Sequence, residues 1–198
     1  MSGERGAAEA SVVVLDLDNT LCKLEVDWGA VKEQLEQLAE AAGADVDGVG
    51  IWPLMEAAQQ PGREELLRDM ERLVTDAELE GARDCPHNEA LVDWIRREGG
   101  DRPVSVLSLN SRRAVQLALE DNGLAALITH IVGREDVRRI KPDPEGMLVL
   151  AERHGVEAGE MLLVGDKDGD RECAESAGAK FLHVEDVGVS WRHGSRPI

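Results

Sequence analysis

The chain has 198 residues, which suits one domain, or a core domain with one small insertion. Forty acidic residues against 22 basic ones give a net charge of -18, so the protein's own field opposes binding to nucleic acid or to an anionic membrane. No apolar run approaches the roughly 20 residues that span a bilayer, and residues 1–10 lack the apolar stretch of a secretory signal. We therefore expect a soluble cytoplasmic protein whose partners are neither nucleic acid nor membrane.

The cysteine and lysine contents indicate in which cellular environment the protein functions. Cys22, Cys85 and Cys173 are widely spaced and form no CxxC pair, which indicates neither a disulfide framework nor a zinc cluster and fits a reducing compartment. The basic residues comprise 17 arginines and only 5 lysines. Together with the acidic excess, this bias is typical of salt-adapted cytosolic proteins, and the codon usage of a GC-rich genome is the alternative explanation.

The first predicted element is a buried strand over residues 11–15, which follows a loose tail over residues 1–10. Residues 22–83 contain no convincing strand pattern, but helical spacing recurs over residues 28–42, 49–60 and 63–80. This segment is predicted to be an all-helical insertion between the first strand and the rest of the sheet.

Strand and helix patterns alternate from residue 84 to residue 188. Strands are predicted at residues 104–107, 128–132, 161–164 and 180–184, and helices at residues 88–98, 111–121, 144–154 and 170–177. Each helix pattern stops at Gly or Asn-Gly, the usual left-handed terminator. Such alternation indicates an α/β fold with a parallel sheet covered by helices. Residues 11–21 and 84–188 form the predicted core domain, and residues 189–198 a C-terminal tail.

Four polar clusters lie just beyond predicted strands or short apolar stretches. They cover residues 16–20, 108–111, 141–144 and 165–170. Because the carboxyl ends of parallel strands meet at one edge of a sheet, we expect these clusters to converge on one site. In an extended segment Asp16 and Asp18 project from the same face, about 6.6 Å apart along the chain at about 3.3 Å per residue. One carboxylate can then act as a nucleophile and the other as an acid and base.

The order of these residues resembles the four motifs of the haloacid dehalogenase-like hydrolase superfamily. The motif residues are Asp16-Leu-Asp18-Asn-Thr20, Ser108, Lys141, and Gly165-Asp166 with Asp170. Residues 132–144, and on to Gly178, resemble the phosphoglycolate phosphatase-like branch. The resemblance covers residues 11–21 and roughly 84–188, and it implies a Rossmann-like sheet of strand order 5-4-1-2-3. It also implies that the helical insertion is a small cap closing over the site.

The resemblance assigns roles to the acidic residues. Asp16 is expected to form an aspartyl-phosphate, Asp18 to act as general acid and base, and Thr20 to order the loop and help to bind phosphate. Four carboxylates in one pocket need a cation, and an all-oxygen ligand set suits Mg²⁺. The resemblance implies that the Asp16 carboxylate, the Asp18 backbone carbonyl and Asp166 bind this metal, with Asp170 as an outer ligand or support.

Lys141, Ser108 and Asn110 are the expected contacts of the phosphoryl group. The Lys141 ammonium can neutralise that group and keep Asp16 ionised, and the Ser108 hydroxyl can donate a hydrogen bond to it. In the family's common form Asn directly follows this Ser or Thr, whereas here Leu109 intervenes. Ser111 is therefore the rival for the role of Ser108, and either Asn110 or Ser111 can cap the following helix.

These assignments predict a Mg²⁺-dependent phosphatase that acts on a small phosphorylated metabolite, such as phosphoglycolate. An acid at Asp18 is the feature that phosphatases and phosphomutases of the superfamily share. A phosphomutase is accordingly the enzymatic alternative. A receiver-like, phosphate-responsive module is the alternative from another class, although it would need neither the paired aspartates nor a helical lid.

Overall fold

A computed structural model of the chain describes residues 10–44, 50–98 and 102–194. The tail predicted over residues 1–10 therefore lies outside the described residues, except for Ala10, which is buried. The chain divides into two compact units. One unit is Glu25–Gly81, and the other is formed by the chain on either side of it, which contains the sheet.

The described residues contain seven strands and eight α-helices. The strands are β1 (Val12–Leu15), β2 (His87–Asn88), β3 (Val104–Leu107), β4 (Ile128–Val132), β5 (Met161–Gly165), β6 (Lys180–His183) and β7 (Trp191–Arg192). The helices are α1 (Trp28–Ala41), α2 (Ile51–Ala57), α3 (Glu64–Ala82), α4 (Glu89–Glu98), α5 (Arg112–Asp121), α6 (Glu145–His154), α7 (Asp168–Ala177) and α8 (Val184–Val187). None of the helices in these described segments combines the length and apolar character needed to cross a bilayer.

Five strands form one sheet in the order β4-β3-β1-β5-β6. Every neighbouring pair is parallel. Counted along the chain, these five strands give the order 5-4-1-2-3, so the predicted α/β, Rossmann-like fold is confirmed. β1 lies at the centre, between β3 and β5. Its carboxyl end therefore meets those of its two neighbours, where the polar clusters follow.

Apolar packing explains why β1 is a continuous hydrophobic run. All four of its side chains are buried, and Val12 and Val14 belong to a core cluster that also contains Met147 and Leu150 of α6 and Cys173 of α7. A strand covered by helices has no solvent face, so its sequence loses the polar alternation of an exposed strand. The helices of this layer then end at left-handed glycines, with φ of 67° at Gly155 and 76° at Gly178.

The unit Glu25–Gly81 is helical and has its own apolar core. α1, α2 and α3 contribute Val31, Leu35, Leu54, Met70 and Val74 to this core. The unit is shorter than the predicted insertion over residues 22–83, because residues 22–24 and 82–83 belong to the unit that contains the sheet. The first residue of the helix predicted at 49–60 lies outside the described residues.

The segment predicted to be a C-terminal tail contains a strand. Trp191–Arg192 pairs with His87–Asn88 in an antiparallel two-stranded sheet. The buried Asn88 side chain supports this pairing, since it donates to the Gly188 carbonyl at 3.2 Å and accepts from the Ser190 N–H at 3.0 Å. A two-residue strand has no period to detect, so the composition of this segment indicated only a polar end. Residues 195–198 of the predicted tail lie outside the described residues.

Candidate active site

Three carboxylates meet at the carboxyl end of the central strands. Asp16 follows β1, and its backbone N–H donates to the Val164 carbonyl of β5 at 2.9 Å. One oxygen each from Asp16, Asp166 and Asp170 lies within 4.8 Å of the others. Asp16 is only 5% exposed and Asp170 only 3%. The sheet therefore brings together three of the four acidic side chains that the sequence placed in the site.

Lys141 supplies the positive charge of this cluster. Its Nζ donates to Asp16 Oδ1 at 2.6 Å, to Asp170 Oδ1 at 2.5 Å and to the Leu107 carbonyl at 3.2 Å. The lysine side chain is 6% exposed, so its two ion pairs are shielded from solvent. All three donor positions of the ammonium have partners, which fixes the amine between the ends of β1 and β3.

Burial has the largest effect on the pKa values of Asp16 and Asp166. Burial raises the pKa of Asp16 from 3.8 to about 6, although Lys141 acts to lower it, and the charge of Asp170 raises it further. Burial also raises the pKa of Asp166. For Lys141, burial alone would lower the pKa, but the charges of Asp16 and Asp170 outweigh that effect and raise it. The cluster favours additional positive charge.

The composition of the cluster fits a hard divalent cation. Its candidate ligands are carboxylate oxygens, the donors that Mg²⁺ and Ca²⁺ prefer, with no imidazole or thiolate among the three. A cation bound to these oxygens would offset the cost of burying the Asp16 charge and the repulsion from Asp170, which both raise the pKa of Asp16. The residues present therefore fit the metal expected from the sequence.

A glycine makes room for Asp170. Asp170 Oδ2 accepts from the Lys167 N–H at 3.2 Å, at the start of α7, while Oδ1 binds Lys141. A Cβ placed on Gly165 would lie 2.5 Å from Asp170 Oδ2 and 2.6 Å from its Cβ. The glycine of the Gly165-Asp166 motif thus allows the Asp170 carboxylate to reach back towards the end of β5.

The segment after Asp16 forms a tight turn that positions Asp18 and Thr20. Asn19 has a φ of 65°, in the left-handed region that Asn tolerates better than most residues. The Leu24 N–H donates to Asp18 Oδ1 at 3.0 Å, and Asp18 is half-buried. Thr20 is fully buried, and its hydroxyl donates to Asp166 Oδ1 at 3.4 Å. This bond supports a role of Thr20 in ordering the loop, and its role in binding phosphate stays a prediction.

In the cluster after β3, the two serines make different hydrogen bonds. Ser111 is the N-cap of α5, where its hydroxyl accepts from the Ala114 N–H at 3.3 Å. Ser108 is buried, donates to Asn110 Oδ1 at 2.9 Å and accepts from the Asn110 N–H at 3.1 Å. Ser108 and Lys141 line one pocket. Of the two serines, Ser108 is thus the one beside the lysine, and Asn110 orients its hydroxyl.

Two further residues support the site, and neither was predicted from the sequence. Asn88 Nδ2 donates to the Thr20 carbonyl at 3.3 Å, so this asparagine holds the turn after β1. His183 Nε2 lies 3.0 Å from the Asp166 carbonyl. For Asn88 a signal existed, since Asn before a helical pattern is typical of an N-cap, and its Oδ1 accepts from the Leu91 N–H at 3.4 Å. No sequence signal pointed to His183.

Comparison with known proteins agrees with this geometry. The sequence model of the haloacid dehalogenase-like hydrolase family matches residues 13–184. A phosphoglycolate phosphatase of Shigella boydii is 29% identical over 108 residues, which cover 54% of this chain and 42% of that protein. The phosphoglycolate phosphatase of Escherichia coli K12 is 25% identical over 178 residues, covering 82% of this chain and 70% of that protein.

The fold is also found among solved structures. The crystal structure of a predicted phosphoglycolate phosphatase from Haemophilus somnus superposes with a TM-score of 0.63 at 18% identity, covering 88% of this chain and 85% of that one. The family match spans both the aspartates after β1 and the acidic loop after β5. The chain therefore belongs to the haloacid dehalogenase-like hydrolase family, in the branch that contains the phosphoglycolate phosphatases.

Proposed function

We propose that the protein is a Mg²⁺-dependent phosphatase that hydrolyses a small phosphorylated metabolite through a phosphoryl group carried by Asp16. The observation that carries the proposal is the cluster of the buried Asp16 and Asp170 with the half-buried Asp166, in which the Lys141 ammonium pairs with Asp16 and Asp170. A buried carboxylate at the end of the central strand, with a fixed cation beside it, is suited to attack an electrophile that bears negative charge.

Asp16 and Asp18 divide the two half-reactions between them. In the first, an Asp16 oxygen attacks phosphorus, the bond from phosphorus to the leaving oxygen breaks, and Asp18 donates a proton to that oxygen. In the second, Asp18 takes a proton from the water that attacks the phosphorylated Asp16 and releases phosphate. The bond from Leu24 to Asp18 Oδ1 holds the orientation of this carboxyl group between the two steps.

The metal would be held by the carboxylates of Asp16 and Asp166 and by the backbone carbonyl of Asp18. Asp170, which already bonds to Lys141 and to the Lys167 N–H, would support these ligands. When bound, Mg²⁺ supplies positive charge that reduces the repulsion between the anionic nucleophile and the anionic phosphate. The raised pKa of Asp16 is consistent with this need.

Lys141 and Ser108 provide the remaining contacts to the phosphoryl group. Lys141 is anchored on two carboxylates and one carbonyl, so its charge is fixed before substrate arrives. Preorganised charge of this kind stabilises a transition state without a reorganisation cost. The Ser108 hydroxyl, in the pocket that Lys141 also lines, would donate to a phosphoryl oxygen in place of its bond to Asn110.

The substrate is proposed to be a small phosphorylated acid of the phosphoglycolate type, on the strength of the names of the relatives. The helical unit Glu25–Gly81 is proposed to be a cap that contributes substrate discrimination, since none of the proposed site residues lies within it.

The cytoplasmic location of the protein stays a prediction.

The test is a phosphate-release screen over a panel of phosphorylated acids, sugar phosphates and pyrophosphate, with Mg²⁺ and with EDTA. We expect turnover of at least one small substrate with Mg²⁺ and none with EDTA. Asp16→Asn should be inactive, whereas the matched control Asp168→Asn, which alters an exposed aspartate two residues from Asp166, should keep its activity. Isomerised sugar phosphate without phosphate release would indicate a phosphomutase instead. Activity in Asp16→Asn would contradict the proposal.

A further inference from the structure

Hydrogen bonds join two loops that follow neighbouring strands of the sheet. The β3 loop, residues 108–111, follows β3, and the β4 loop, residues 133–136, follows β4. The backbone N–H of Arg134 donates to the Asn110 carbonyl at 3.3 Å, and its Nη1 donates to the Leu109 carbonyl at 3.2 Å. The backbone of the β3 loop, which begins with Ser108, is therefore held by the loop beside it.

The side chain of Arg112 adds an ion pair between these two segments. Arg112 is the first residue of α5 and directly follows the β3 loop. Its Nη2 donates to Asp136 Oδ2 at 2.6 Å, and the Gly133 N–H donates to the same oxygen at 2.8 Å. The side chains of Arg112 and Asp136 are 32% and 17% exposed, so solvent screens this pair less than a fully exposed one.

The backbone of Arg112 is bound to the β4 loop as well. The Arg112 N–H donates to Glu135 Oε1 at 2.9 Å, which places a carboxylate at the N-terminal end of α5, where negative charge is favourable. A Cβ placed on Gly133 would lie 2.7 Å from the Arg112 nitrogen, so the two loops approach more closely than a side chain at position 133 would allow. Arg112 is thus held both by its guanidinium and by its N–H.

We propose, on the basis of the phosphatase function proposed above, that Arg112 is a positioning residue that fixes the Ser108 hydroxyl for phosphoryl transfer. Ser108 lies at the other end of the β3 loop, and between them Asn110 bonds to the Ser108 hydroxyl through both its side chain and its N–H. Loss of the pair between Arg112 and Asp136 lets this loop move, and the hydroxyl moves with it. A donor that is fixed before substrate arrives stabilises the transition state without a reorganisation cost.

Steady-state kinetics of Arg112→Gln, alone and combined with Ser108→Ala, distinguish this positioning role from a contribution to stability alone. Arg112→Gln should lower kcat by about tenfold with little change in KM, since a displacement of roughly 1 Å at a catalytic group costs up to about 10²-fold. In the Ser108→Ala background the same substitution should change kcat by about twofold or less, because the hydroxyl that Arg112 positions is absent.

Two further variants serve as controls for charge and for location. Arg112→Lys keeps a positive charge and a donor for Asp136, so it should retain about half or more of the wild-type kcat. Arg113→Gln alters an exposed arginine at the next position of α5 and should leave kcat unchanged. If Arg112→Gln fails to fold, Asp136→Asn removes the charge of the partner with nearly the same shape and should give the same pattern with Ser108→Ala.

Binding of orthovanadate in the presence of Mg²⁺, measured by calorimetry, provides a readout that needs no turnover. Orthovanadate takes the five-coordinate geometry of phosphorus in the transition state, so Arg112→Gln should weaken its binding by about tenfold in the wild-type background and by about twofold or less with Ser108→Ala. An inactive protein that shows this pattern would fail only the functional assignment. Independent, multiplying effects of Arg112→Gln and Ser108→Ala, an unchanged Arg112→Gln, an equal loss in Arg113→Gln, or a wild type that binds no orthovanadate would each overturn the proposal.

Discussion

In the metal-free protein, the stability of Asp16→Asn relative to wild type should rise as the pH increases from 5 to 8, while the substitution abolishes turnover. Burial raises the pKa of Asp16 from 3.8 to about 6, even though Lys141 acts in the opposite direction. The ionised carboxylate is therefore less favourable in the native state than in the unfolded chain. Asn is neutral and has nearly the same shape as a protonated Asp, so it removes this penalty at pH values where Asp16 is ionised.

The magnitude follows from the pKa values. A pKa raised from 3.8 to about 6 corresponds to roughly 3 kcal/mol of unfolding free energy, at about 1.4 kcal/mol per pH unit. Because the folded pKa is the higher one, this stability is fully present below pH 3.8 and is lost as the pH rises through about 6. Roughly half of the loss lies between pH 5 and pH 8, so the difference between Asp16→Asn and wild type should change by about 1.4 kcal/mol in favour of the variant over that interval.

Urea unfolding in EDTA, followed by circular dichroism at several pH values from 5 to 8, measures this difference. Asp168→Asn is the matched control, since it makes the same substitution at a carboxylate that is exposed at the start of α7. A difference that is independent of pH for Asp16→Asn, or one that moves in favour of the wild type as the pH rises, would refute the argument that burial of the Asp16 charge is costly.

Two further variants test other parts of the structure. Gly165→Ala should weaken Mg²⁺ binding by about tenfold or more in isothermal titration, because its Cβ would displace Asp170. The control Gly169→Ala, which has nothing within 4 Å of its Cβ position, should bind Mg²⁺ normally, and equal affinities of the two variants would contradict this prediction. Burial and the neighbouring His130 lower the pKa of His154, so the stability contributed by its neutral form is present above its ordinary pKa of 6.5 and is lost as the pH falls. The unfolding free energy of His154→Gln should therefore rise relative to that of the wild type between pH 7.5 and pH 5. A pH-independent difference would contradict this prediction.

The central part of the fold was predictable because its physical signals are local. β1 is apolar on both faces and ends in two aspartates, and the helices that cover it end at glycines such as Gly155 and Gly178. Parallel strands leave little choice about where their carboxyl ends meet. The approach of Asp166 and Asp170 to Asp16 thus follows from the alternation of elements and from the resemblance to the family.

Other features depend on contacts that no local pattern encodes. Asn88 holds the Thr20 carbonyl across 68 positions of sequence, and the Lys23 N–H donates to the Pro86 carbonyl although the helical unit separates these two residues along the chain. Trp191–Arg192 becomes a strand because a complementary short segment lies beside it. The sequence could not distinguish Ser108 from Ser111, because both residues follow β3. The structure distinguishes them by their hydrogen bonds, since Ser108 bonds to Asn110 and Ser111 caps α5.

The phosphorylated Asp16 is the most direct test of the proposed mechanism. Asp18→Asn removes the proton donor and the base that activates water, while the expected metal ligand at this position is the backbone carbonyl. With a substrate whose leaving group needs no protonation, the first half-reaction should proceed and the second should stall. Rapid quench and intact mass analysis should then show about 80 Da of added mass, one phosphoryl group, on Asp18→Asn and none on Asp16→Asn. The modified peptide should contain Asp16; labelling of Ser108 or Cys22, or turnover by Asp16→Asn above a few per cent of wild type, would contradict the account.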